Sequence, residues 1–464
     1  MAESMIPTEL GTKKISTLLR MYAVPGIIAM TAASLYNMVD SIYIGHIKDV
    51  GAMAISGLAV ASPLMNLSAA LGTLVGIGAS TTISVLLGQK NYEKAQNVLA
   101  NEVSLNTIIG IAYSILMLSF LEPILRFFGA TDAIMPYAKP YMFVNLLGNV
   151  ITHLYFGLNS CIRASGNPKL AMNMTLFTVI LNAVLDPILI FGFHMGVVGA
   201  AVATVIAQFS AFIRTMVYFL DKKNFLHFPE GIFRYDGRIA MECISIGVGP
   251  FLVNAANCIV VMFINQQLLK YSGELAIGAY GIQNRITFFF LMIAAGINQG
   301  LQPIAGYNFG ARLYSRVRKV YWTSIGWVTV ATVTGFIICE AFPGAAVSIF
   351  TNDPTLREMS ARALRICNLM LPVIGFHMVT TQLFQCLGMI GKGIILSLSR
   401  QILIMLPLLY ILPIFLGHDG VWLTFPASDF LAFLLALCFF FWLIGKMKKL
   451  KDGDEPVSLG SSLA

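Results

Sequence analysis

Charged residues are scarce in this chain. Asp, Glu, Lys and Arg together make up 11% of 464 residues, whereas soluble domains carry roughly a quarter. Hydrophobic residues make up 57%, and the mean hydropathy is +0.78. A soluble fold of this length would need a polar surface that this composition cannot supply, so the chain is predicted to be a polytopic membrane protein.

Paired metal ligands and paired cysteines are also lacking. The 6 His show no H-E-x-x-H motif, and the 7 Cys stand singly with no C-x-x-C motif. This pattern predicts neither a disulfide framework nor a zinc site. The glycine-rich stretch "GMIGKG" (388–393) lacks the Ser or Thr and the spacing of a phosphate-binding loop. We therefore expect no metal, no cofactor and no enzymatic activity.

Long apolar runs dominate what is present. Reading for stretches of about 20 apolar residues gives about twelve spans. Backbone groups in lipid must be satisfied by helices or by a closed barrel, and these runs are too long and too uniformly apolar for barrel strands. The predicted fold class is all-α, with about twelve transmembrane helices.

The placement of Lys and Arg explains the net charge of +8. Alternate loops between Lys13 and Lys451, with Arg400 counted among them, hold most of these residues, and the opposite loops hold few. By the positive-inside rule, both termini are predicted to be cytoplasmic and the chain to be a multi-pass protein of the plasma (inner) membrane. The charge therefore requires no nucleic-acid partner.

The two halves of the chain resemble each other. "ISGLAVASPL" (55–64) followed by "GQKNYEKA" (88–95) matches "IGAYGIQNRI" (277–286) followed by "GARLYSRV" (310–317). A repeat of six helices predicts two parallel lobes related by a pseudo-twofold axis along the membrane normal, with substrate held near the midplane where the repeats meet. The expected divisions are a cytoplasmic N-terminal segment, an N-lobe, a cytoplasmic linker, a C-lobe and a disordered cytoplasmic tail: 1–15, 16–220, 221–237, 238–446 and 447–464.

Two acidic residues, Asp40 and Asp186, fall inside apolar runs of the first half. An intramembrane carboxylate costs several kcal/mol, and such groups usually mark a pathway or a relay. Tyr36 and Asn182 each precede one of these acids by four residues and thus share its helix face. Pro187 lacks an N–H, so a break beside Asp186 is expected. This pattern predicts a site for a proton or a cation.

A purely structural role is the alternative, since polar groups can join membrane helices by hydrogen bonds. The repeat favours function, because Asp40 aligns with Asn265 and Asp186 falls near Ile411, so only one half keeps the acids. For Asp429, a capping or packing role is as plausible as transport, and Arg285 is expected to reach the outer interface by snorkelling. The remaining polar candidates are first-lobe and second-lobe residues: Tyr141, Asn159 and Thr204, then Asn254, Asn257, Gln283 and Asn284.

The chain also resembles the multidrug and toxic compound extrusion (MATE) family over roughly residues 15–445. The similarity rests on three motifs: P-x14-D in the first helix, "LDPILIFGF" followed by "GVVGAAVAT", and "GINQGLQPIAGYNFGA" (296–311). Within the family it is most similar to the bacterial branch of DinF-like and MepA-like exporters. The resemblance implies export of organic cations and other amphiphiles in exchange for H⁺ or Na⁺.

Seven residues of this chain match the first-lobe cavity of that branch: Tyr36, Asp40, Tyr141, Asn159, Asn182, Asp186 and Thr204. We assign cation coupling to Asp40, Asp186, Asn182 and Thr204. Substrate binding is assigned to Tyr36, Tyr141 and Asn159, with Asn265 and Gln283 from the second half. Another branch carries acids on helices 7 and 10, where this chain has Asn254, Asn257 and His377. That departure favours coupling in the first lobe.

Three other functions fit the sequence less well than a drug antiporter. A flippase of lipid-linked sugars would need several cations for a pyrophosphate group, and the spans offer only Arg285. A membrane enzyme would need a nucleophile with its base, or a metal site. A channel would be lined by charged rings, whereas these acids lie in one half.

The expected partners are mostly cationic drugs and the lipid bilayer, and the protein is expected to be a monomer.

Overall fold

The computed structural model describes residues 9–45, 47, 51–128, 130–229, 235–350, 354–448 and 450–455, and within these it leaves out the side chains of 35–42, 45, 51–53, 55, 56, 59, 258 and 274. The described residues form helices joined by short turns, and no strand occurs among them. The all-α prediction is confirmed. The helices are α1 (Glu9–Thr12), α2 (Ile15–Gly45), α3 (Gly51–Gly88), α4 (Tyr92–Ser119), α5 (Leu121–Phe127), α6 (Met135–Ala164), α7 (Pro168–Pro187), α8 (Gly196–Leu220), α9 (Gly237–Ser272), α10 (Glu274–Gly310), α11 (Tyr314–Ala341), α12 (Pro343–Ser348), α13 (Pro354–Cys367), α14 (Leu371–Cys386), α15 (Ile390–Leu398) and α16 (Leu406–Met447). Two π-helical segments, Ile188–Gly192 and Ser399–Met405, follow α7 and α15.

Most of these helices are long and apolar enough to cross a membrane. Within the described ranges, nine stretches meet that standard, or ten if α13 and α14, which are bent by 52°, form one span. The last stretch, Ile390–Met447, has 58 residues, far more than the roughly 20 that one crossing needs, and it breaks at Gly417 (φ 55°, ψ −131°). Counting α13 and α14 as one span gives ten. Reading the last stretch as two crossings and including the more polar 30-residue α6 brings the count to the predicted twelve.

The chain forms two compact units. The first takes in the described residues of Met1–Leu10 and Ile28–Phe251, and the second those of Gly11–Ile27 and Leu252–Ala464. The divisions fall inside α2 and α9, each of which contains an internal proline. The boundaries expected from the sequence, with a linker at 221–237, remain a prediction.

The backbone repeats between the two halves. Lys90 and Arg312 end matching turns with left-handed φ values of 61° and 58°. The next helices, α4 and α11, have 28 residues each. Their C-terminal capping residues are Phe120 (φ −121°) and Phe342 (φ −127°), and a short helix follows each of them. The sequence repeat is therefore a repeat of local conformation.

Glycines set the close packing of α3 against α6 in the first unit. A Cβ on Gly76 would lie 2.7 Å from the Gly157 Cα, and one on Gly72 would lie 3.0 Å from the His153 Cα. Gly72 and Gly76 are one turn apart, the small-xxx-small spacing that lets membrane helices approach closely. This packing brings the polar side chains of α6 against those of α3.

Residues 450–455 differ from the expected disordered tail. The Ser315 N–H donates to Asp452 Oδ1 at 2.8 Å, and the Tyr314 hydroxyl donates to the Asp454 carbonyl at 2.9 Å. The physical reason is that the first N–H groups of α11 have no partner within the helix. Asp452 supplies one, as a capping residue from a distant part of the chain.

Candidate functional site

A polar stripe follows one face of α7. Thr175, Thr178, Asn182 and Asp186 are spaced by three, four and four residues, so they lie on one side of the helix. Asn182 is 1% exposed and Asp186 is fully buried. In a span that is otherwise apolar, the stripe faces neighbouring helices.

Asn182 links α7 to α8. With its amide nitrogen toward the carboxylate, Asn182 donates to Asp186 Oδ2 at 2.9 Å. Its amide oxygen then accepts from the Thr204 N–H at 3.2 Å and from the Thr204 hydroxyl at 3.3 Å. Thr204 is 5% exposed. Three of the four residues assigned to cation coupling therefore come together, and we call Asn182, Asp186 and Thr204 the α7–α8 cluster.

The backbone changes geometry directly after this cluster. Pro187 ends α7, and the following π-helical segment closes with a bond from the Phe193 N–H to the Ile188 carbonyl at 2.9 Å. π-Helical turns often occur at functional sites because they widen the backbone and leave room beside it. The change begins where Pro187 was expected to interrupt the helix.

Gly199 lets the π-helical turn after Pro187 pack closely against α8. A Cβ on Gly199 would lie 2.8 Å from the Leu189 carbonyl carbon. On the other side, a Cβ on Gly148 of α6 would lie 2.6 Å from Val205, the neighbour of Thr204. Both contacts hold α8 against its neighbours at the level of the α7–α8 cluster.

The other first-half candidates are placed differently. Asn159 of α6 donates to Thr175 Oγ1 at 3.2 Å, so it contacts the polar stripe two turns before Asn182. Tyr141 is 4% exposed and lies in an apolar cluster with Leu146. The side chains of Tyr36 and Asp40 lie outside the described residues.

The second-half candidates lie apart from one another. Gln283 of α10 is buried and donates to Thr287 at 3.0 Å, and Thr287 in turn donates to Asn368 at 2.9 Å. Asn265 of α9 is half-buried, and its amide oxygen has no partner among the described residues. Arg285 is exposed on α10.

Arg400 is one correction to the sequence reading. It was counted with the charges of the cytoplasmic loops, but it lies in the π-helical segment Ser399–Met405 and pairs with the buried Asp429 at 2.5 Å. Its side chain is 25% exposed. Charges near the end of a span look like loop charges in sequence, and only the packing of α16 shows that Asp429 lies within reach.

Sequence reasoning missed several polar residues of the first unit. Thr178 donates to the Tyr155 hydroxyl at 3.2 Å, and the helical spacing that singled out Asn182 could have identified it. Glu102 of α4 is fully buried, yet it follows the charged stretch at 88–96 so closely that it looks like part of a loop. No local signal distinguishes such a residue from a solvated one.

The α7–α8 cluster offers a carboxylate, a carboxamide and a hydroxyl in a buried place. These groups can hold a proton, or they can give oxygen ligands to a small hard cation. Within the described residues, no group of three or more His, Cys, Asp or Glu side chains could hold a metal ion. The cluster contains one carboxyl, so it can take up one proton.

Comparisons with known proteins agree with the family resemblance found in the sequence. The MatE family matches this chain twice, over residues 25–188 and 246–411, in line with the internal repeat. The chain is 29% identical to the multidrug export protein MepA of Staphylococcus aureus over 90% of its own length and 91% of that protein's. It is 34% identical to a solved structure described as the MATE multidrug transporter DinF-BH in complex with a ligand, with a TM-score of 0.88 over 94% of this chain and 98% of that one. A third structure, the outward-facing conformation of a multidrug resistance MATE family transporter, is similar in fold, with 23% identity, a TM-score of 0.89 and coverage of 95% and 98%.

Proposed function

This chain belongs to the MatE family, and from that premise we propose that it is a secondary active transporter that exports amphiphilic organic cations in exchange for H⁺ or Na⁺. The observation that carries the proposal is the buried α7–α8 cluster, in which Asn182 joins the Asp186 carboxyl to Thr204. A fully buried carboxyl in a membrane helix is costly unless its charge is used or neutralised.

A change of charge at Asp186 supplies the coupling. The carboxylate attracts a cationic drug, and the protonated acid does not. A ligand shifts a conformational equilibrium only through its different affinities for the two states, so protonation at one face of the membrane favours drug release there. Loss of the proton at the other face restores the affinity. The two halves of the chain alternate access around this step.

Asp40 is proposed as the second carboxyl of this exchange. It lies in α2, and its pairing with Asp186 follows from the sequence and the family resemblance. Two carboxyls that share a cavity titrate as a coupled pair, with apparent values that belong to the pair. The remaining binding surface is assigned to Tyr36, Tyr141, Asn159, Asn265 and Gln283.

The relatives support the substrate class. MepA is named as a multidrug export protein, and DinF-BH is described as a multidrug transporter in complex with a ligand. The chain aligns with both over nine-tenths or more of its length. We propose the same class for this chain, with the protein acting as a monomer in the plasma membrane and both termini in the cytoplasm.

A flippase of lipid-linked precursors is less well supported. A pyrophosphate group would require several unpaired cations within the helices. Arg400, which the structure places in the π-helical segment Ser399–Met405, is already paired with Asp429.

Drug-driven ion movement in proteoliposomes tests the proposal. The purified full-length protein is reconstituted with a pH-sensitive dye or a sodium-sensitive dye inside, and the amphiphilic organic cation ethidium is added to the outside. We expect ethidium entry to drive counterflow of protons or of sodium in the wild type and not in protein-free vesicles. Ethidium movement with no counterflow of either ion would overturn secondary coupling.

A further inference from the structure

A second buried polar cluster lies in the first unit, on the α3–α4 side of α6. It is formed by Ser68 of α3, Glu102 and Asn106 of α4, and Asn149 and His153 of α6. Glu102, Asn106 and His153 are fully buried, and Ser68 and Asn149 are 6% and 3% exposed. We call these five residues the α4–α6 cluster. The exchange proposed for the α7–α8 cluster does not use it.

Hydrogen bonds connect its members. The Asn106 amide donates to Glu102 Oε1 at 2.6 Å and to the His153 carbonyl at 3.3 Å. The Ser68 hydroxyl oxygen lies 3.2 Å from His153 Nε2. The same hydroxyl donates to Asn149 Oδ1. The bond from Asn106 to His153 is to the backbone carbonyl, so the Glu102–Asn106 pair and the Ser68–Asn149–His153 group are joined through the backbone of α6.

These bonds define the tautomer of His153. The Ser68 hydroxyl proton is used on Asn149, so the contact between Ser68 and the imidazole requires a proton on Nε2. A neutral imidazole that is protonated at Nε2 has a free lone pair at Nδ1. Nδ1 of His153 can therefore accept a proton.

Three acceptor atoms of the cluster have no hydrogen-bond partner among the described residues: Glu102 Oε2, Asn106 Oδ1 and His153 Nδ1. Leaving a buried acceptor unpaired is costly, and more so for a charged group. A carboxyl proton on Glu102 removes the charge, and a proton on Nδ1 supplies a donor. The unpaired atoms of Glu102 and His153 are thus the places where the cluster can take up protons.

The surroundings offer no counter-charge. α3 carries no charged residue in its sequence, and no ion pair of the described residues includes Glu102. The titratable groups near the cluster are Cys161 of α6 and Cys243 of α9, which interact electrostatically with Glu102, and Tyr113, whose ring lies 6.4 Å from that of His153. None of these is a cation, and Arg163 of α6, which also interacts with Cys161, donates to Ser160 and forms no ion pair with Glu102 among the described residues.

Glycines keep room for these groups between the helices. A Cβ on Gly157 would collide with Glu102 Oε1, and one on Gly110 would lie 3.4 Å from His153 Nδ1. Glu102 lies ten residues after Tyr92, about 15 Å along α4 at a rise of 1.5 Å per residue. The carboxyl is thus well inside the span, held between helices rather than at its end.

We propose that the α4–α6 cluster, through Glu102 and His153, binds protons at a second place distinct from the α7–α8 cluster, and that its occupancy changes during drug export. The inference rests on the proposed function for the link to export, but the proton site itself is independent of it. A proton fits better than sodium, because hard cations select several oxygen ligands and one of the three unpaired atoms is an imidazole nitrogen. Histidine commonly relays protons near neutral pH.

Infrared difference spectroscopy tests the site directly. The full-length protein in lipid is titrated with pH, and the carbonyl band of protonated carboxyls is followed in wild type and in E102Q, which keeps the size and polarity. We expect E102Q to lose one band that the matched variant E93Q retains, since Glu93 is exposed at the start of the same helix. If E102Q does not fold, E102D should shift that band instead. An unchanged band in E102Q, or in a folded E102D, would overturn the proposal.

Transport then tests the link to export. In the proteoliposome assay, ethidium-driven proton counterflow should fall at least twofold in E102Q and stay at the wild-type level in E93Q. Equal counterflow in all three proteins would overturn a role in export. Absence of proton counterflow from the wild type would contradict the proton form of the proposed function instead, and the infrared result would still decide the site.

Discussion

A carboxyl group inside a membrane helix needs partners, and Asp186 has them on its own helix and on the next. Asn182 presents its amide to the carboxylate and its oxygen to Thr204. The arrangement keeps the acid in place whether or not it carries a proton, because the amide can donate to the ionised form. Asp186 is thus positioned to change its charge without a change in its packing.

Replacing the acids is the first prediction. D186N and D40N keep size and polarity but remove ionisation, so both should abolish drug resistance in cells without preventing membrane insertion. Resistance at equal expression is the measurement, with D132N as the control because Asp132 is exposed. Wild-type resistance in D186N or D40N would contradict the assignment of that residue.

Two ion pairs of the second unit, one buried and one exposed, should differ in strength. R400A leaves the buried Asp429 without its partner and should lower the free energy of unfolding by about 3–5 kcal/mol. R362A breaks an exposed pair with Asp419 at 2.9 Å and should cost about 1 kcal/mol or less. Thermal unfolding of the purified protein in detergent compares them. Equal shifts in Tm would show that burial does not decide the strength of these pairs.

Among the elements, the crossing of α3 and α6 depends on glycine. G76A would place a methyl group 2.7 Å from the Gly157 Cα and should destabilise by about 1–3 kcal/mol through overpacking. G326A in α11 meets nothing within 4 Å and should be neutral or raise stability by up to about 1 kcal/mol. The melting temperatures of both variants test this, and a G76A variant as stable as G326A would refute the close packing.

Capping of α11 by the C-terminal segment should depend on pH. Partial burial pushes the pKa of Asp452 up, but hydrogen bonds from Ser315 outweigh it and hold that pKa below its usual range. The stabilisation is therefore complete above about pH 4, the value for a free aspartate, and is lost as the pH falls through the lower pKa of the folded state. Wild type should melt above D452N at pH 7, and the gap should close at more acidic pH. A gap that persists or widens in acid would contradict this contact.

The elements also show what could be predicted from the sequence. Long apolar runs indicated the spans, and four-residue spacing indicated that Asn182 and Asp186 share a face, because both patterns are local. Thr204 required the family resemblance, since nothing local brings α8 to α7. The burial of Glu102 and the pairing of Arg400 could not be predicted, because each depends on which helix packs against it.

At the scale of the whole molecule, the repeat and the asymmetry within it matter together. The MatE match recurs in both halves, and the backbone repeats at Lys90 and Arg312. Yet Asp186 is in the first half, while the buried acid Asp429 of the second half is held by Arg400. In the proposed function the first half changes its charge, whereas the buried acid of the second half is already paired with a cation.

The drug affinity of the purified protein as a function of pH tests the central claim, competition between proton and drug at Asp186, most directly. Affinity of the wild type for ethidium should fall at least tenfold, equivalent to about 1.4 kcal/mol, as pH drops from about 8 to about 5.5. D186N should flatten the curve. A wild-type affinity that ignores pH but changes strongly with Na⁺ would contradict proton coupling, and would instead make the oxygens of Asp186, Asn182 and Thr204 ligands for sodium.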